Sequence, residues 1–484
     1  MQDLLGRAPA RRYAQRHSDP ARLWVQATLH GYEPPPLEHA RVLELGCGDG
    51  GHLLGIAARH PGMQVIGLDA RSAAVAEGQQ LADRAGIANL RLEMGELSAL
   101  ADRSDSFDYV LCESAYSRAS APERAQLLAG IARLLSGRGL ACLEYDVRPL
   151  FRVHELVADV LRRSLAHRGV EVTSQSARSE LGLLLEAEAG GRGIDLLRSE
   201  LEAWLLRDDA WLLAELQAPR QGVMFDELMQ SLAPHGLHYA GEASYWAGRL
   251  ERLPAAGAAL VEREVSPLRR EQYVDFFSGR RQRRSLLTRH TPAAARPGLE
   301  LLAGLSCVSW LRVAGEEFVV PGGAKLRVED PLQSAVVRAA CASWPEALSA
   351  VELVHRAAAE APSAERDELA RALLEAHDQD WLELRHAAPS YVGTPGKRPR
   401  ISSLARVEAL SGRPLTNVVH APIQLGGGVA GALASWLDGE HDRGALRARL
   451  LADGFPPQQC TQAAVEQILN ALGRRGLLLP EERS

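Results

Sequence analysis

Residues 41–147 alternate between short apolar runs and longer amphipathic stretches. "RVLEL" is a continuous apolar run that leads through a glycine turn into "HLLGIAARH", which has helical spacing. "MQVIGLDA" predicts a second strand and "SAAVAEGQQLADRAG" a second helix. "NLRLEMGEL" and "FDYVLCES" predict two more strands. "APERAQLLAGIARLL" predicts a helix ahead of the strand "GLACLEYDV". Strands that alternate with helices at this spacing imply an α/β, doubly wound (Rossmann-like) parallel sheet, in which ligands bind outside the carboxyl ends of the strands.

The texture changes near residue 150. "HELVADVLRRSLAH", "SELGLLLEAEA", "IDLLRSELEAWLLRDDAWLLAELQ" and "MFDELMQSLAPHG" read as amphipathic helices. This helical region closes with "REQYVDFFSGRRQRRSLLTRH", before the linker "TPAAARPG". Short strands, "SCVSWLRV" and "EEFVVPGG", and then helices follow to residue 388. A second linker, "APSYVGTPGKRPR", precedes a mostly helical end. The chain therefore divides into units at 1–150, 151–291, 299–388 and 399–484.

Composition adds little to this picture. The chain has 484 residues, 46% of them apolar, so several buried cores are feasible. A net charge of −6 gives no overall pull toward nucleic acid or anionic membrane. The six cysteines contain no C-x-x-C, against both a zinc ribbon and a disulfide framework. No signal-like or membrane-spanning apolar run is present, so a cytoplasmic protein is expected. All but two of the 55 basic residues are arginine, which reads as coding bias.

The glycine turn carries the chemistry. Gly46, Gly48 and Gly51 satisfy the dinucleotide pattern G-x-G-x-x-G, whereas Gly46, Gly48 and Gly50 behind Glu44 satisfy E-x-G-x-G-x-G. A carboxylate at Glu44 would repel a pyrophosphate at the helix N-terminus, but it suits a ligand bearing an ammonium and a sulfonium. Asp69, at the end of the second strand, is placed to accept hydrogen bonds from ribose hydroxyls with either ligand. Glu96, after Gly95, could accept from an adenine amino group or be a solvated loop carboxylate. "CESAYS" ends the fourth strand, on the side of the reacting group.

This series resembles the class I S-adenosylmethionine-dependent methyltransferases. The resemblance places that cofactor on Glu44, Gly46, Cys47, Gly48, Gly50, Asp69, Ala70, Glu96 and Cys112; Cys47 itself reads as a small filler. "ARLWVQATLHGYEPPPLEHARVLELGCGDGGHLL" is similar to the opening of bacterial methyltransferases that carry a methyltransferase regulatory domain, protein-lysine methyltransferases among them. "FDELMQSLAPHGLHYAGEAS" and "EQYVDFFSGRRQRRSLLTRH" resemble their regulatory region. "VVRAACASWPEALSAVEL" and "LTNVVHAPIQL" resemble their winged-helix-like C-terminal region. The resemblance implies a methyltransferase domain at 1–150 and a helical regulatory domain at 151–291. It implies winged-helix-like α+β units at 299–388 and 399–484. It also implies methyl transfer to protein lysine, with a polypeptide as partner; the charge and the lack of a long apolar run lead us to expect neither nucleic acid nor membrane as partner.

The departures cluster on the acceptor side. Glu113-Ser114 replaces the family's His-Gly, Arg118 its Trp, Asp146 its Asn, and Leu150 the Gly after Pro149. The family's aromatic and proline-bearing N-terminal segment is not visible. Tyr116 and Tyr145 are the retained pocket candidates. They would wall off the amine so that desolvation lowers its pKa, while Glu113 or Asp146 would attract the cation or take its proton. Structural roles remain open for Tyr145 (a core strand residue) and Asp146 (a helix-capping or loop carboxylate). Two alternatives stand beside the main reading: a small-molecule or modified-peptide methyltransferase, and a non-catalytic cofactor-binding regulator. Arg280, Arg281, Arg283, Arg284 and Arg289 read as a solvated face or carboxylate partners, with a phosphate-binding patch as the alternative.

Overall fold

The computed structural model describes residues 3–8, 12–113, 115–189, 195–244, 253–291, 299–321 and 323–481. Ser114 and most of the linker "TPAAARPG" lie outside them. The first apolar runs become strands β1 (Arg41–Leu45), β2 (Gln64–Asp69), β3 (Leu90–Met94), β4 (Phe107–Cys112) and β5 (Leu135–Asp146). They pair in parallel. Side chains alternate between two buried layers, as a strand's period of two requires. Leu43, Leu45, Val110, Cys112, Leu143 and Tyr145 fill one layer. Val42, Val65, Tyr109, Leu111 and Cys142 fill the other. Burial on both faces is why the inner strands β1, β2 and β4 read as largely apolar runs, while β3, at the sheet edge, alternates.

The helices around this sheet are α1 (Pro20–Leu29), α2 (Gly51–Arg59), α3 (Ser72–Ala85), α4 (Ala115–Arg118) and α5 (Ala121–Leu134). Asp19 caps α1 with a proline at its first position, and Ser120 and Glu123 form a capping box on α5. Helices α6 (Arg152–His167), α7 (Ser174–Ala189), α8 (Asp195–Leu205) and α9 (Asp209–Gln217) pack around their own core of Leu161, Leu181, Trp204 and Leu212.

The segment 151–291 was expected to be helical throughout, and here the structure differs. After α10 (Phe225–Leu232) it supplies β6 (His238–Glu242) and β7 (Gln282–Thr288), which complete the main sheet. The strand order is β3-β2-β1-β4-β5-β7-β6, with β7 antiparallel to both β5 and β6. "QRRSLLT" does not look like an interior strand because its buried positions include an arginine and a serine. Arg283 is buried because Glu242, Glu271 and Asp275 neutralise it. The other arginines of the run are engaged as well. Arg280 pairs with Asp275, Arg281 with Glu200 and Arg284 with Glu144, and Arg289 donates to the Leu135 carbonyl. They are carboxylate and backbone partners, not a free phosphate patch.

Beyond residue 299, Ser306–Val308 pairs with Leu348–Ser349 and Glu383–Arg385, and a second three-stranded sheet lies beside it. Three helices, Pro331–Ser343, Ala350–Glu360 and Arg366–Asp378, share their core. The last unit packs Ser403–Leu410, Val429–Ser435, Arg443–Ala452 and Gln462–Arg474 around a two-stranded hairpin. It docks on α2: a Cβ at Gly55 would stand 2.7 Å from the His420 ring and 2.8 Å from the Thr416 methyl. Among the described residues, no helix is long and apolar enough to cross a membrane.

Candidate active site

The turn between β1 and α2 takes a left-handed backbone at each alternate residue. Gly46, Gly48 and Gly50 have φ of 75°, 63° and 70°, a conformation that side chains resist. Gly50 is the N-cap of α2, and a Cβ there would meet the Leu92 side chain at 2.8 Å. The amides of Gly46 and Cys47 bond back to the Leu68 carbonyl, and Gly48 donates to Asp69 Oδ2 at 2.7 Å. The loop is therefore fastened to the tip of β2 and faces the carboxyl ends of the strands.

Glu44 is buried in β1 opposite Gly67 and Leu111. Cys47 is buried, and burial followed by the charge of Glu44 pushes its thiol pKa well up, so it is an inert filler. Cys112 ends β4 opposite Leu45, and Ala70 packs against the same core. Glu96 is exposed at the tip of β3, where a ligand could reach it. These placements suit a nucleoside with a charged amino-acid tail. The bend offers bare backbone, Asp69 stands beside it, and Leu97 carries a backbone donor just after Glu96.

The sequence did not reveal how occupied Asp69 is. Its Oδ1 accepts from the Arg71 amide and Nε, both at 2.9 Å, and its Oδ2 accepts from Arg71 Nη2 at 2.9 Å besides Gly48. Four donors fill the roughly four lone-pair sites of a carboxylate. A second unexpected feature comes from the far end of the chain. Arg413 donates to Asp49 Oδ2 at 2.8 Å, inside the glycine bend, and to Glu77 Oε1 at 2.7 Å. Asp49 meanwhile accepts from the Gly51 amide. His420 Nε2 lies 2.8 Å from Nδ1 of His52, on the first turn of α2. A spacing of more than 360 residues leaves no local signal for either contact.

The acceptor-side candidates do come together, though not as the free groups expected. The rings of Tyr116 and Tyr145 meet edge to face at 6.1 Å between centroids, both fully buried. Burial raises both hydroxyl pKa values. The Tyr145 hydroxyl is 3.1 Å from Ser285 Oγ on β7, so it is committed inside the sheet and does not wall a pocket. Glu113 lies buried between β4 and α4, its carbonyl taking the Ala115 amide. Asp146 ends β5 with its carboxylate on Arg220 Nη1 at 3.0 Å, its amide held by Ser117 Oγ at 2.7 Å. Burial raises its pKa and Arg220 opposes the shift. Arg220 in turn lies over the rings of Phe151 and Trp211. A cavity of about 180 Å³ opens beside Asp146, lined by Phe151, Trp204, Trp211 and Arg220.

Arg118, where the family has tryptophan, reaches into the helical unit. It pairs with Glu215 and donates to the carbonyls of Ala214 and Ala218. Glu215 also takes Arg220 Nε at 2.9 Å and pairs with His154 Nε2 at 3.0 Å; Glu200 holds the other ring nitrogen at 2.9 Å. Burial works against a charge on His154, but the two glutamates outweigh it and raise its pKa. This network ties the end of β4 to α6, α8 and α9.

Known proteins match this arrangement in two segments. Residues 42–139 match the family model for a methyltransferase domain, and residues 212–289 the model for a predicted methyltransferase regulatory domain. Two uncharacterized proteins of Rickettsia prowazekii (strain Madrid E) are similar in sequence. RP789 is 25% identical over 295 residues, 58% of this chain. RP028 is 30% identical over 145 residues, 30% of this chain. The chain spans 51% and 58% of the lengths of these relatives. The structure of PKMT2 from Rickettsia typhi superposes with a TM-score of 0.83 at 19% identity, covering 98% of this chain and all of the other. PKMT2 in complex with AdoHcy gives 0.82 at 21% identity, with the same coverage. At these identities the likeness establishes the fold: a Rossmann-like methyltransferase sheet followed by helical and small-sheet units.

Proposed function

We propose that this chain, built on a methyltransferase domain and a methyltransferase regulatory domain, transfers the methyl group of S-adenosylmethionine to lysine side chains of a polypeptide. The observation that carries the reading is the glycine bend: three left-handed glycines at the tip of β1, tied to Asp69 at the tip of β2. Bare backbone beside a carboxylate suits the cofactor's amino-acid tail and ribose. The AdoHcy complex of PKMT2, on the same fold, supports the cofactor, and the name PKMT2 supports lysine as acceptor.

When bound, the cofactor supplies a methyl carbon already activated by its sulfonium. This chain's residues position, desolvate and exclude water. A lysine amine must lose its proton in the site before it reacts, and its ordinary pKa is about 10.4. Surroundings as dry as those of Tyr116 lower it. Glu113, buried just past the tip of β4, draws the cation in and takes its proton in this reading. Asp146 is paired with Arg220 and orients that guanidinium against the helical unit. A small-molecule acceptor is favoured by one feature, the aromatic-walled cavity beside Asp146.

Incubation with radiolabelled S-adenosylmethionine and a lysate of the host tests the reading. Label in protein bands, on lysine after hydrolysis, is the expected result. Label confined to small molecules moves the acceptor to the second class. Cofactor binding without any label leaves a non-catalytic regulator.

A further inference from the structure

The crevice at the strand tips is crossed by the chain's own residues 3–8. Asp3 accepts from the Leu97 amide at 3.2 and 3.3 Å, at the tip of β3. Leu4 and Leu5 are each 1% exposed and join Leu45, Leu68, Leu97 and Cys112 in the core layer beneath the crevice. The Leu5 carbonyl lies 3.3 Å from where a Cβ of Gly46 would stand. Arg7 donates to the Arg118 carbonyl at 3.1 Å and pairs with Glu123 at 2.6 Å, past the tip of β4. Arg71, while gripping Asp69, donates its Nη1 to the Ala8 carbonyl at 2.7 Å. One six-residue segment thus touches the tips of β1 and β3, the turn after β2 and the helix after β4.

The same groups are those a nucleoside with an amino-acid tail would use. The Leu97 donor is taken by Asp3, the open face of Gly46 by a carbonyl, and the lone pairs of Asp69 by Arg71 and Gly48. Two leucines fill the apolar floor. Among the described residues, cavities of about 470, 350 and 180 Å³ lie elsewhere, lined by none of Gly46, Gly48, Asp69 or Glu96. A crevice furnished for a ligand but filled by its own chain must exchange one for the other.

We propose that residues 3–8 are a removable plug of the cofactor crevice, with Arg71 as its latch. The inference rests on the cofactor reading above. The segment lies in the crevice when no cofactor is bound and leaves as the cofactor enters, when Arg71 releases Asp69 and the Ala8 carbonyl. Cofactor affinity is then the intrinsic affinity reduced by the fraction of molecules that are open.

The test is calorimetric titration of AdoHcy into three proteins: the full chain, a variant lacking residues 1–8, and a full-length Leu4→Ser, Leu5→Ser double variant. The double variant keeps every covalent link and covers the case in which truncation disturbs folding. Both altered proteins are expected to bind at least tenfold tighter than the full chain. In the full chain, AdoHcy should increase hydrogen exchange in residues 3–8 while protecting residues 46–50. Equal or weaker binding by the variants overturns the plug. So does added protection of residues 3–8 by AdoHcy, because the segment would then be a lid over the ligand. If none of the three proteins binds AdoHcy, the cofactor reading fails and takes the plug with it; equal binding by all three sinks the plug alone.

Discussion

Replacing Glu215 with glutamine isolates the network that joins the helical unit to the end of β4. The side chain is fully buried and serves Arg118, Arg220 and His154 together. Burial opposes its charge, but the hydrogen bond from His154 and the charges of Arg220 and Arg118 outweigh it, holding the pKa at about 2 against an ordinary 4.5. At about 1.4 kcal/mol per unit, that difference corresponds to about 3 kcal/mol. Breaking a buried ion pair by removing one partner costs about 3–5 kcal/mol, so two independent routes agree on the scale. Glutamine keeps the shape and one acceptor, which places the expected loss at the lower end.

The folded pKa is depressed, so this stabilisation is complete above about pH 4.5 and is lost as pH falls toward 2. A unit that opens on its own is best read by hydrogen exchange of residues 195–220, where opening free energies are obtained locally. The variant should open more easily by about 3 kcal/mol at pH 7, and the gap should narrow by about 1 kcal/mol at pH 3.5. A difference below about 1 kcal/mol at pH 7, or one that does not narrow in acid, would refute the reasoning that the pairs hold the two units together.

Removing the carboxylate in Asp69→Ala should weaken AdoHcy binding at least tenfold, about 1.4 kcal/mol, in a titration; unchanged affinity would mean that the ribose contact is misplaced. Arg413→Ala leaves Asp49 buried without its nearest cation, so AdoHcy should bind several-fold more weakly and Arg413→Lys should recover part of the loss. Equal affinity in both Arg413 variants would show that the C-terminal unit does not brace the bend. Gly55→Leu should separate that unit from α2, seen as a lower melting temperature and faster exchange across residues 415–423; an unaltered protein would contradict the close packing against His420 and Thr416.

The parallel half of the fold was legible because its inner strands β1, β2 and β4 are buried on both faces over most of their length and show as largely apolar runs, while the edge strand β3 alternates. The two antiparallel strands were not. β6 reads "HYAGE" and β7 reads "QRRSLLT", and their burial depends on ion pairs such as Arg283 with Glu242, which no periodicity shows. The glycine bend was legible from its sequence, since positive φ at three alternate positions leaves little other choice of residue. Tyr145 was legible as a core strand residue, whereas Asp146 read as an acceptor-side, helix-capping or loop carboxylate; their partners, Ser285 and Arg220, come from elements far along the chain. The same distance hid Arg413 and His420. The adjacent leucines at 4 and 5 were the local signal for the crevice segment, and a two-residue apolar pair is too common to mark one.

The most direct test of the account is a crystal structure of this protein grown with AdoHcy. The account predicts the nucleoside along Gly46–Gly50, with its ribose on Asp69, its adenine beside the Leu97 amide, and residues 3–8 displaced. An empty crevice at saturating AdoHcy, or a nicotinamide dinucleotide bound there in its place, would contradict it.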